Sequence, residues 1–279
     1  MDGAVDLRAA GEIEAWMKTA KLRQDEASAR YNQHLTAFEC AVAIAMVFAA
    51  CQAWDLRPAG VAPILLFSGR GTSPGDVAAL EKILSREHLE YSSIGTRQLN
   101  GLTESEIRKY RLLIVPGGNF EAIGKSLTSA ATANVRGAVQ SGLNYLGICA
   151  GAFFAGSSPY NGLNLTSGVR FGFYAAEAQN IRKSTVAITD AGGQTRDQYW
   201  EDGPQLTGWG AVVAKYPDGT PAVVEGTYGS GWVILSGVHP EAPADWRRGM
   251  DFKTSADTDN AYAAALIRAA LNRESLPHY

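Results

Sequence analysis

The stretch YLGICAGAFFAG, residues 145–156, joins the end of an apolar run to a series of small, helix-compatible residues. Cys149 stands between two glycines at this junction. In a Gly-x-Cys-x-Gly sequence the glycines leave room for a strained strand-to-helix turn that raises the side chain above the sheet. The free N–H groups of the following helix favour the thiolate. Two interpretations stay open, a nucleophile or a small apolar residue at the end of a buried strand.

Apolar runs and segments of helical periodicity alternate on the N-terminal side of this junction. ILLFS (64–68) and RLLIVPGG (111–118) predict buried strands, whereas DVAALEKILSREH (76–88) and TESEIRKY (103–110) predict helices. A third helix is predicted over residues 126–142, closed by Gly142. Strands separated by helices predict an α/β domain with a doubly wound, mostly parallel sheet of flavodoxin-like type, covered on both faces.

The segment 157–238 has another pattern, in which Gly, Asp-Gly and Pro-Asp-Gly turns separate β-rich runs. This pattern predicts an added region of antiparallel hairpins, and the Ala-rich residues 259–273 predict a closing helix. Tyr199, Trp200 and Glu201 are candidate pocket residues over the sulfur. The alternative is that these aromatic rings belong to the core.

Composition excludes several classes of function. The chain has 279 residues, of which 46% are hydrophobic, and its formal charge of -3 offers no basic surface for a phosphate backbone. Nucleic acid is therefore not an expected partner. Three cysteines without a C-x-x-C pair or a histidine cluster predict neither a disulfide framework nor a metal site. SGRGTSPG lacks the Gly-Lys-Ser/Thr ending of a phosphate loop, and we expect no cofactor.

Residues 1–61 predict an N-terminal helical extension that precedes a domain spanning 62–279. The uncharged run CAVAIAMVFAAC (40–51) would be about 18 Å long as a helix, short of the roughly 30 Å hydrocarbon core. Its flanks resemble a signal peptide, and VFAAC resembles a bacterial lipobox with Cys51 as the lipid-bearing residue. We expect export to the periplasm or cell envelope, with membrane contact through residues 40–53. An Ala-rich helix packed on the domain is the alternative.

A thiolate nucleophile needs a base, and of four histidines only His239 follows an apolar strand, in GWVILSGVHPEAP (231–243). Residues two apart on an extended chain point to the same side, so Glu241 can reach the imidazole. The pattern predicts that Cys149 attacks, His239 transfers the proton and Glu241 holds the tautomer.

An oxyanion hole requires backbone N–H groups close to the nucleophile. Ala150 follows the cysteine, and Gly118 and Asn119 lie in the glycine turn after a predicted strand. Glycine lets the main chain approach a ligand closely, so these three N–H groups are the candidates. A tight strand-to-helix turn without chemistry is the alternative for the glycine pair.

GICAG, the downstream HPE and the earlier strand ending in PGG resemble the class I glutamine amidotransferase superfamily, whose Cys-His-Glu triad has this order and spacing. CAGAFFA and YWEDGP (199–204) are similar to the biotin–protein ligase N-terminal domain family. The resemblance covers about residues 62–245 and implies the amidotransferase-like fold. Where that superfamily usually has His-Gln or Met-Gln after the nucleophile motif, Ala152 and Phe153 stand here, so glutamine is not the expected substrate.

The motifs together predict a cysteine-dependent hydrolase or amidotransferase-like enzyme. It would cleave the C–N bond of a small-molecule or peptide amide through a thioester. The alternative is a non-catalytic ligand-binding or regulatory module of the same fold, tethered to a membrane. A third interpretation is an oxidation-sensitive thiol. Biotin ligation is not predicted, because the chain has no motif for a separate biotin- and ATP-binding domain.

Overall fold

The computed structural model describes residues 62–174 and 180–279. All of them lie in one unit, Ala59–Tyr279. The predicted export segment at residues 40–53 and the lipidation candidate Cys51 lie outside the described residues. No helix within the described ranges is long and apolar enough to cross a membrane.

The described residues form strands joined by short helices and turns. The strands are β1 Ile64–Phe67, β2 Tyr91–Ile94, β3 Leu112–Val115, β4 Asn144–Ile148, β5 Gly172–Phe173, β6 Lys183–Asp190, β7 Thr195–Glu201, β8 Pro204–Gln205, β9 Ala211–Lys215, β10 Pro221–Tyr228 and β11 Gly231–Ser236. The helices are α1 Pro74–Arg86, α2 Thr96–Gly101, α3 Glu104–Ile107, α4 Phe120–Ser126, α5 Ser129–Gln140, α6 Ala150–Ala155 and α7 Ala256–Asn272.

Nine of these strands form a single sheet in the order β2-β1-β3-β4-β11-β10-β9-β6-β7. The first five are parallel to one another, which is the flavodoxin-like order with β11 as its fifth strand. The last four are antiparallel and extend the same sheet. The doubly wound α/β prediction is confirmed, and the predicted hairpins prolong the main sheet. β5 and β8 pair separately.

Strand alternation divides the core between the two faces of the sheet. Leu66 of β1 packs in one cluster with residues of α1 and α7. Leu65, its neighbour in the chain, packs in the other cluster with residues of α4, α5 and α6. Both faces are therefore covered, and the ends of the parallel strands are left as the place for a site.

Two predicted helices are shorter in the structure. The predicted helix over residues 126–142 begins only at Ser129, because Leu127 is extended and the Thr128 side chain caps α5 by accepting the Ala131 N–H. Ser126 instead ends α4, a helix that the sequence patterns did not predict. The predicted helix over 103–110 ends at Ile107, although its capping box at Thr103 and Glu106 is present.

Candidate functional site

Cys149 lies in a strained turn between β4 and α6, with φ 49° and ψ −103°. Residues with a Cβ rarely adopt this backbone conformation, and doing so costs on the order of 1–3 kcal/mol. A Cβ at Gly147 would lie 2.6 Å from the Gly151 oxygen, and one at Gly151 would lie 2.8 Å from the Val115 carbonyl carbon. The two flanking glycines therefore allow β3, β4 and α6 to meet beneath the cysteine.

The strain at this turn can be measured without using the thiol. We expect Cys149→Gly to have a free energy of unfolding about 1 kcal/mol higher than Cys149→Ala, because only the alanine keeps a Cβ in this conformation. Urea denaturation of both variants gives the difference. The matched exchange Ala152→Gly, inside α6, should destabilise by about 0.5–1 kcal/mol. An alanine variant as stable as the glycine variant would remove the claim of strain.

His239 and Glu241 follow the carboxyl end of β11, next to the end of β4 in the parallel register Ser236 to Ile148. The His239 Nδ1 lies 2.9 Å from the Glu241 Oε1, and both side chains are buried. A carboxylate only accepts, so Nδ1 carries the hydrogen and Nε2 is left on the opposite edge of the ring. The structure thus brings together the imidazole and the carboxylate that the His-x-Glu spacing predicts.

Backbone and aromatic contacts hold the imidazole in place. The main-chain N–H of His239 donates to the main-chain carbonyl of Tyr199 at 2.8 Å. The rings of Tyr199 and Trp246 meet the imidazole nearly edge to face, with centroids 5.7 Å and 6.1 Å away. Because main chain, both rings and Glu241 all contact His239, its orientation is fixed before any ligand arrives.

Charge around His239 favours the imidazolium. Burial by itself lowers the pKa of His239, but the charges of Cys149, Glu241 and Asp76 outweigh it and hold that pKa well above its usual value. Cys149 is buried, and its Sγ lies 3.5 Å from the Glu201 carbonyl oxygen, a contact in which the sulfur is a donor only in its thiol form. The site therefore places a cysteine and a histidine disposed to hold a positive charge at adjacent strand ends.

Asp76 is a fourth member of this cluster and is absent from the sequence-based prediction. It lies in the first turn of α1, it is buried, and its Oδ1 is 3.0 Å from the His239 Nδ1. Burial raises the pKa of Asp76, but the charge of His239 outweighs it, so this pKa lies below its usual value. Burial raises the pKa of Glu241 above its usual value.

The donor atoms of Asp76, His239 and Glu241 all lie within 4.8 Å of one another, a spacing that could hold a metal ion. The imidazole nitrogen that faces both carboxylates is Nδ1, the atom that donates its hydrogen to Glu241. A nitrogen that carries a hydrogen has no lone pair for a metal. The cluster therefore holds either a proton on Nδ1 or, in place of that proton, a metal ion.

The turn after β3 corrects one of the predicted oxyanion donors. The main-chain N–H of Asn119 donates to the Gly71 carbonyl at 2.8 Å, and the Asn119 side-chain oxygen caps α4, so the main-chain N–H is not free for an oxyanion. Within residues 62–174 and 180–279, no acceptor takes the N–H of Gly118 or of Ala150. Gly151 packs against Val115 at the end of β3, which brings the start of α6 to this turn. Gly118 and Ala150 remain as candidate donors.

The predicted pocket residues separate into two environments. Trp200 is fully buried and donates its indole N–H to the Gly203 carbonyl, so it is a core residue and its prediction as a pocket residue is wrong. Tyr199 contacts His239, and its hydroxyl donates to the Glu201 carboxylate at 2.6 Å. Burial, and then Glu201, raise the pKa of Tyr199. Glu201 reaches the site through its main chain, whose carbonyl faces Cys149.

A cavity of about 170 Å³, which we call the phenylalanine pocket, lies beside α6. It is lined by Phe120, Phe153, Ser157, Ser158, Arg170, Phe171, Gly172 and Phe173. The rings of Phe120 and Phe153 stack with centroids 4.7 Å apart, and Phe173 lies 5.0 Å from Phe153. Phe153 is one helical turn beyond Cys149. In the sequence, Phe153 is notable only because it stands where the related motif has a polar residue.

Comparison with known proteins agrees with the motifs. Residues 62–161 match the family model described as "Biotin-protein ligase, N terminal". No curated protein matches the chain. A glutamine amidotransferase crystal structure is similar, with 21% identity and a TM-score of 0.49 over 64% of this chain and 90% of that one.

Two further solved structures are similar at lower identity. A protein from Thermoplasma acidophilum, described as a putative GMP synthase, has 13% identity and a TM-score of 0.46 over 76% of this chain and 96% of that chain. The GH42 β-galactosidase Gan42B has 13% identity and a TM-score of 0.46 over 79% of this chain, which spans 31% of the β-galactosidase. The match over residues 62–161 confirms the resemblance to the biotin–protein ligase N-terminal family that the motifs indicate.

Proposed function

We propose that this protein is a cysteine-dependent hydrolase or amidotransferase-like enzyme that cleaves an amide C–N bond through a thioester on Cys149. The observation that supports it most directly is the buried His239–Glu241 hydrogen bond at the strand end next to a strained cysteine turn. A core cysteine needs neither a backbone conformation that costs free energy nor a charged histidine at the neighbouring strand end. In this proposal Cys149, His239 and Glu241 take the roles of nucleophile, base and orienting carboxylate.

The chemical steps follow from these positions. The Cys149 thiolate attacks the amide carbonyl carbon, and the N–H groups of Gly118 and Ala150 stabilise the oxyanion. The His239 imidazolium gives its proton to the leaving nitrogen, so the C–N bond breaks and a thioester remains. Water then attacks the thioester while neutral His239 takes its proton. The C–S bond breaks, a carboxylic acid leaves and the thiolate–imidazolium pair returns.

The phenylalanine pocket supports an acyl group other than that of glutamine. Half of its lining residues are phenylalanines, whose rings offer no hydrogen bond to a carboxamide side chain, and its polar members are Ser157, Ser158 and Arg170. A cavity of about 170 Å³ is of the size that holds a benzene ring. We therefore favour an apolar or aromatic acyl amide as substrate.

One observation favours the second candidate, a non-catalytic ligand-binding or regulatory module. Cys149 is only 5% exposed and its Sγ lies 3.5 Å from the Glu201 carbonyl oxygen, so the end of β7 covers the sulfur. A substrate would have to displace that contact. The tethering of either candidate to a membrane through residues 40–53 stays a prediction.

Alkylation of Cys149 as a function of pH tests the proposal on the full chain. Iodoacetamide labelling of the Cys149 peptide, followed by mass spectrometry, separates it from Cys40 and Cys51. We expect fast labelling at pH 6.5 that falls about 100-fold in His239→Ala, because an ordinary thiol with a pKa near 8.5 is only about 1% ionised at that pH. The control His278→Ala removes an exposed histidine and should leave the rate unchanged.

The same preparation distinguishes an enzyme from a binding module. Incubation with N-acyl aryl amides that carry apolar acyl groups should produce a hydroxylamine-sensitive mass increase on the Cys149 peptide. If no such adduct forms but alkylation of Cys149 still depends on His239, the result favours the non-catalytic binding module. Identical pH profiles for the wild type and His239→Ala would reject the triad.

A further inference from the structure

Two buried carboxylates meet one nitrogen of His239. Glu241 receives the Nδ1 hydrogen at 2.9 Å, and Asp76 Oδ1 lies 3.0 Å from the same atom without a hydrogen bond of its own. Nδ1 has one hydrogen, so the second carboxylate is not needed to fix the tautomer. We propose that Asp76 is a positioning residue of the site, a second carboxylate that keeps His239 protonated opposite Cys149; this inference rests on the proposed function.

The first step is that α1 places the Asp76 carboxylate close to the imidazole. The Ser73 side chain caps α1 and Pro74 opens it, which sets Asp76 in the first turn. An aspartate there ordinarily faces solvent, where it interacts with the helix N-terminus. Here its side chain is only 6% exposed. A buried carboxylate that lacks a hydrogen bond at one oxygen is destabilising unless an opposite charge compensates it, and His239 is the cationic group in contact.

Gly117 shows how closely the two side chains pack. A Cβ at this residue would lie 2.6 Å from the His239 Cε1 and still closer to the Asp76 Oδ1. The backbone there does not need glycine for its conformation, since the φ of Gly117 is not positive. The space is needed for the Asp76–His239 contact itself. The absence of a side chain at residue 117 is therefore an observation independent of the hydrogen bonds.

The groups that face His239 come from four elements. They are Asp76 from α1, Cys149 from the turn before α6, Glu241 from the segment after β11, and Tyr199 from β7. The Tyr199 hydroxyl is in turn hydrogen-bonded to the Glu201 carboxylate. Asp76 has its pKa lowered and Glu241 has its pKa raised. The two carboxylates therefore differ, in that Asp76 is the more readily ionised and Glu241 receives the N–H.

The inference predicts a specific change in the pH profile. Asp76→Asn keeps the shape of the side chain and removes its charge. We expect Cys149 alkylation in the full chain to become about 10-fold slower at pH 6.5, with the half-maximal rate about one pH unit higher, because an opposite charge within 4–6 Å moves a titration by about 1–3 units. The rate at pH 9 should be unchanged. Glu225→Gln, at another buried carboxylate, is the matched control and should leave the profile unchanged.

If Asp76→Asn has the wild-type pH profile of Cys149 alkylation while alkylation still depends on His239, the inference is wrong and the proposed function is unaffected. Loss of His239 dependence in the parent protein overturns both. If Asp76→Asn does not fold, Glu241→Gln decides, since its amide oxygen still accepts the Nδ1 hydrogen while only Asp76 keeps a charge there. The ¹³Cε1 signal of His239 in that variant should stay that of imidazolium at pH 7.5. A neutral imidazole in Glu241→Gln overturns the inference.

Discussion

Gly151→Ala is expected to lower the free energy of unfolding by about 3 kcal/mol, at the upper end of the usual cost of overpacking. The new Cβ would overlap the Val115 carbonyl oxygen and lie 2.8 Å from the Val115 carbonyl carbon. Both atoms belong to the main chain of β3, so no side-chain rotation relieves the clash. The whole of α6 would have to move away from β3, and Cys149 with it. Urea denaturation followed by circular dichroism measures the loss.

Gly101→Ala is the matched control, because a Cβ at the end of α2 would meet nothing within 4 Å and the φ of Gly101 is not positive. It should be neutral or stabilising by up to about 1 kcal/mol. Equal stability of Gly151→Ala and the wild type would mean that α6 does not rest on the end of β3. The proposed approach of the Ala150 N–H to the turn after β3 would then lose its support.

The parallel half of the fold is predictable because its signals are local. β1 and β3 are short apolar runs buried on both sides, and α1 has its buried residues at helical spacing. The helix predicted over 126–142 failed at its start, because Leu127 is apolar and continues the helical pattern although its backbone is extended. A cap formed by Thr128 is recognisable, but only once the helix is known to begin after it.

The antiparallel half shows where local signals stop. Turn residues predict hairpins, but they do not determine which strand a hairpin joins. β10 pairs with β11 and so attaches the antiparallel strands to the parallel sheet. Strand pairing of this kind depends on contacts between residues distant in the chain, and turn chemistry contains no information about them. The sequence therefore indicated the elements of this region and left their attachment open.

The candidate site likewise contains residues that local sequence patterns predict and one residue that they do not. Strand alternation predicts the contact between His239 and Glu241, although the structure makes it in the turn after β11, where the Ala242 N–H donates to the His239 carbonyl. The same rule could have excluded Trp200, since it follows Tyr199 directly in β7 and must face the opposite side of the sheet. Asp76 had no such signal. It reaches His239 because α1 begins, and β11 ends, at the carboxyl ends of the parallel strands. An aspartate in a first helical turn has an ordinary explanation, so the sequence gives no reason to assign it to the site.

Gly117→Ala is expected to slow Cys149 alkylation at pH 6.5 by about 100-fold, to the level of an ordinary thiol. The added methyl group would enter the space between the Asp76 carboxylate and the His239 Cε1, which is 2.6 Å from the Cβ position. Both neighbours are side chains, so the imidazole and the carboxylate would move while β3 stays in place. The expected stability loss is therefore smaller than for Gly151→Ala, about 1–2 kcal/mol. Labelling of the Cys149 peptide and urea denaturation measure the two effects.

The comparison of these two glycine variants separates the chemistry of the site from the stability of the fold. Gly151 contacts main chain, so its substitution should act mainly on folding, whereas Gly117 contacts the two side chains that hold charge beside the cysteine. Gly101→Ala should change neither quantity. If Gly117→Ala keeps both wild-type stability and fast alkylation at pH 6.5, then Asp76 and the imidazole do not pack against this turn. In that case, groups other than the buried cluster around His239 would have to stabilise the Cys149 thiolate.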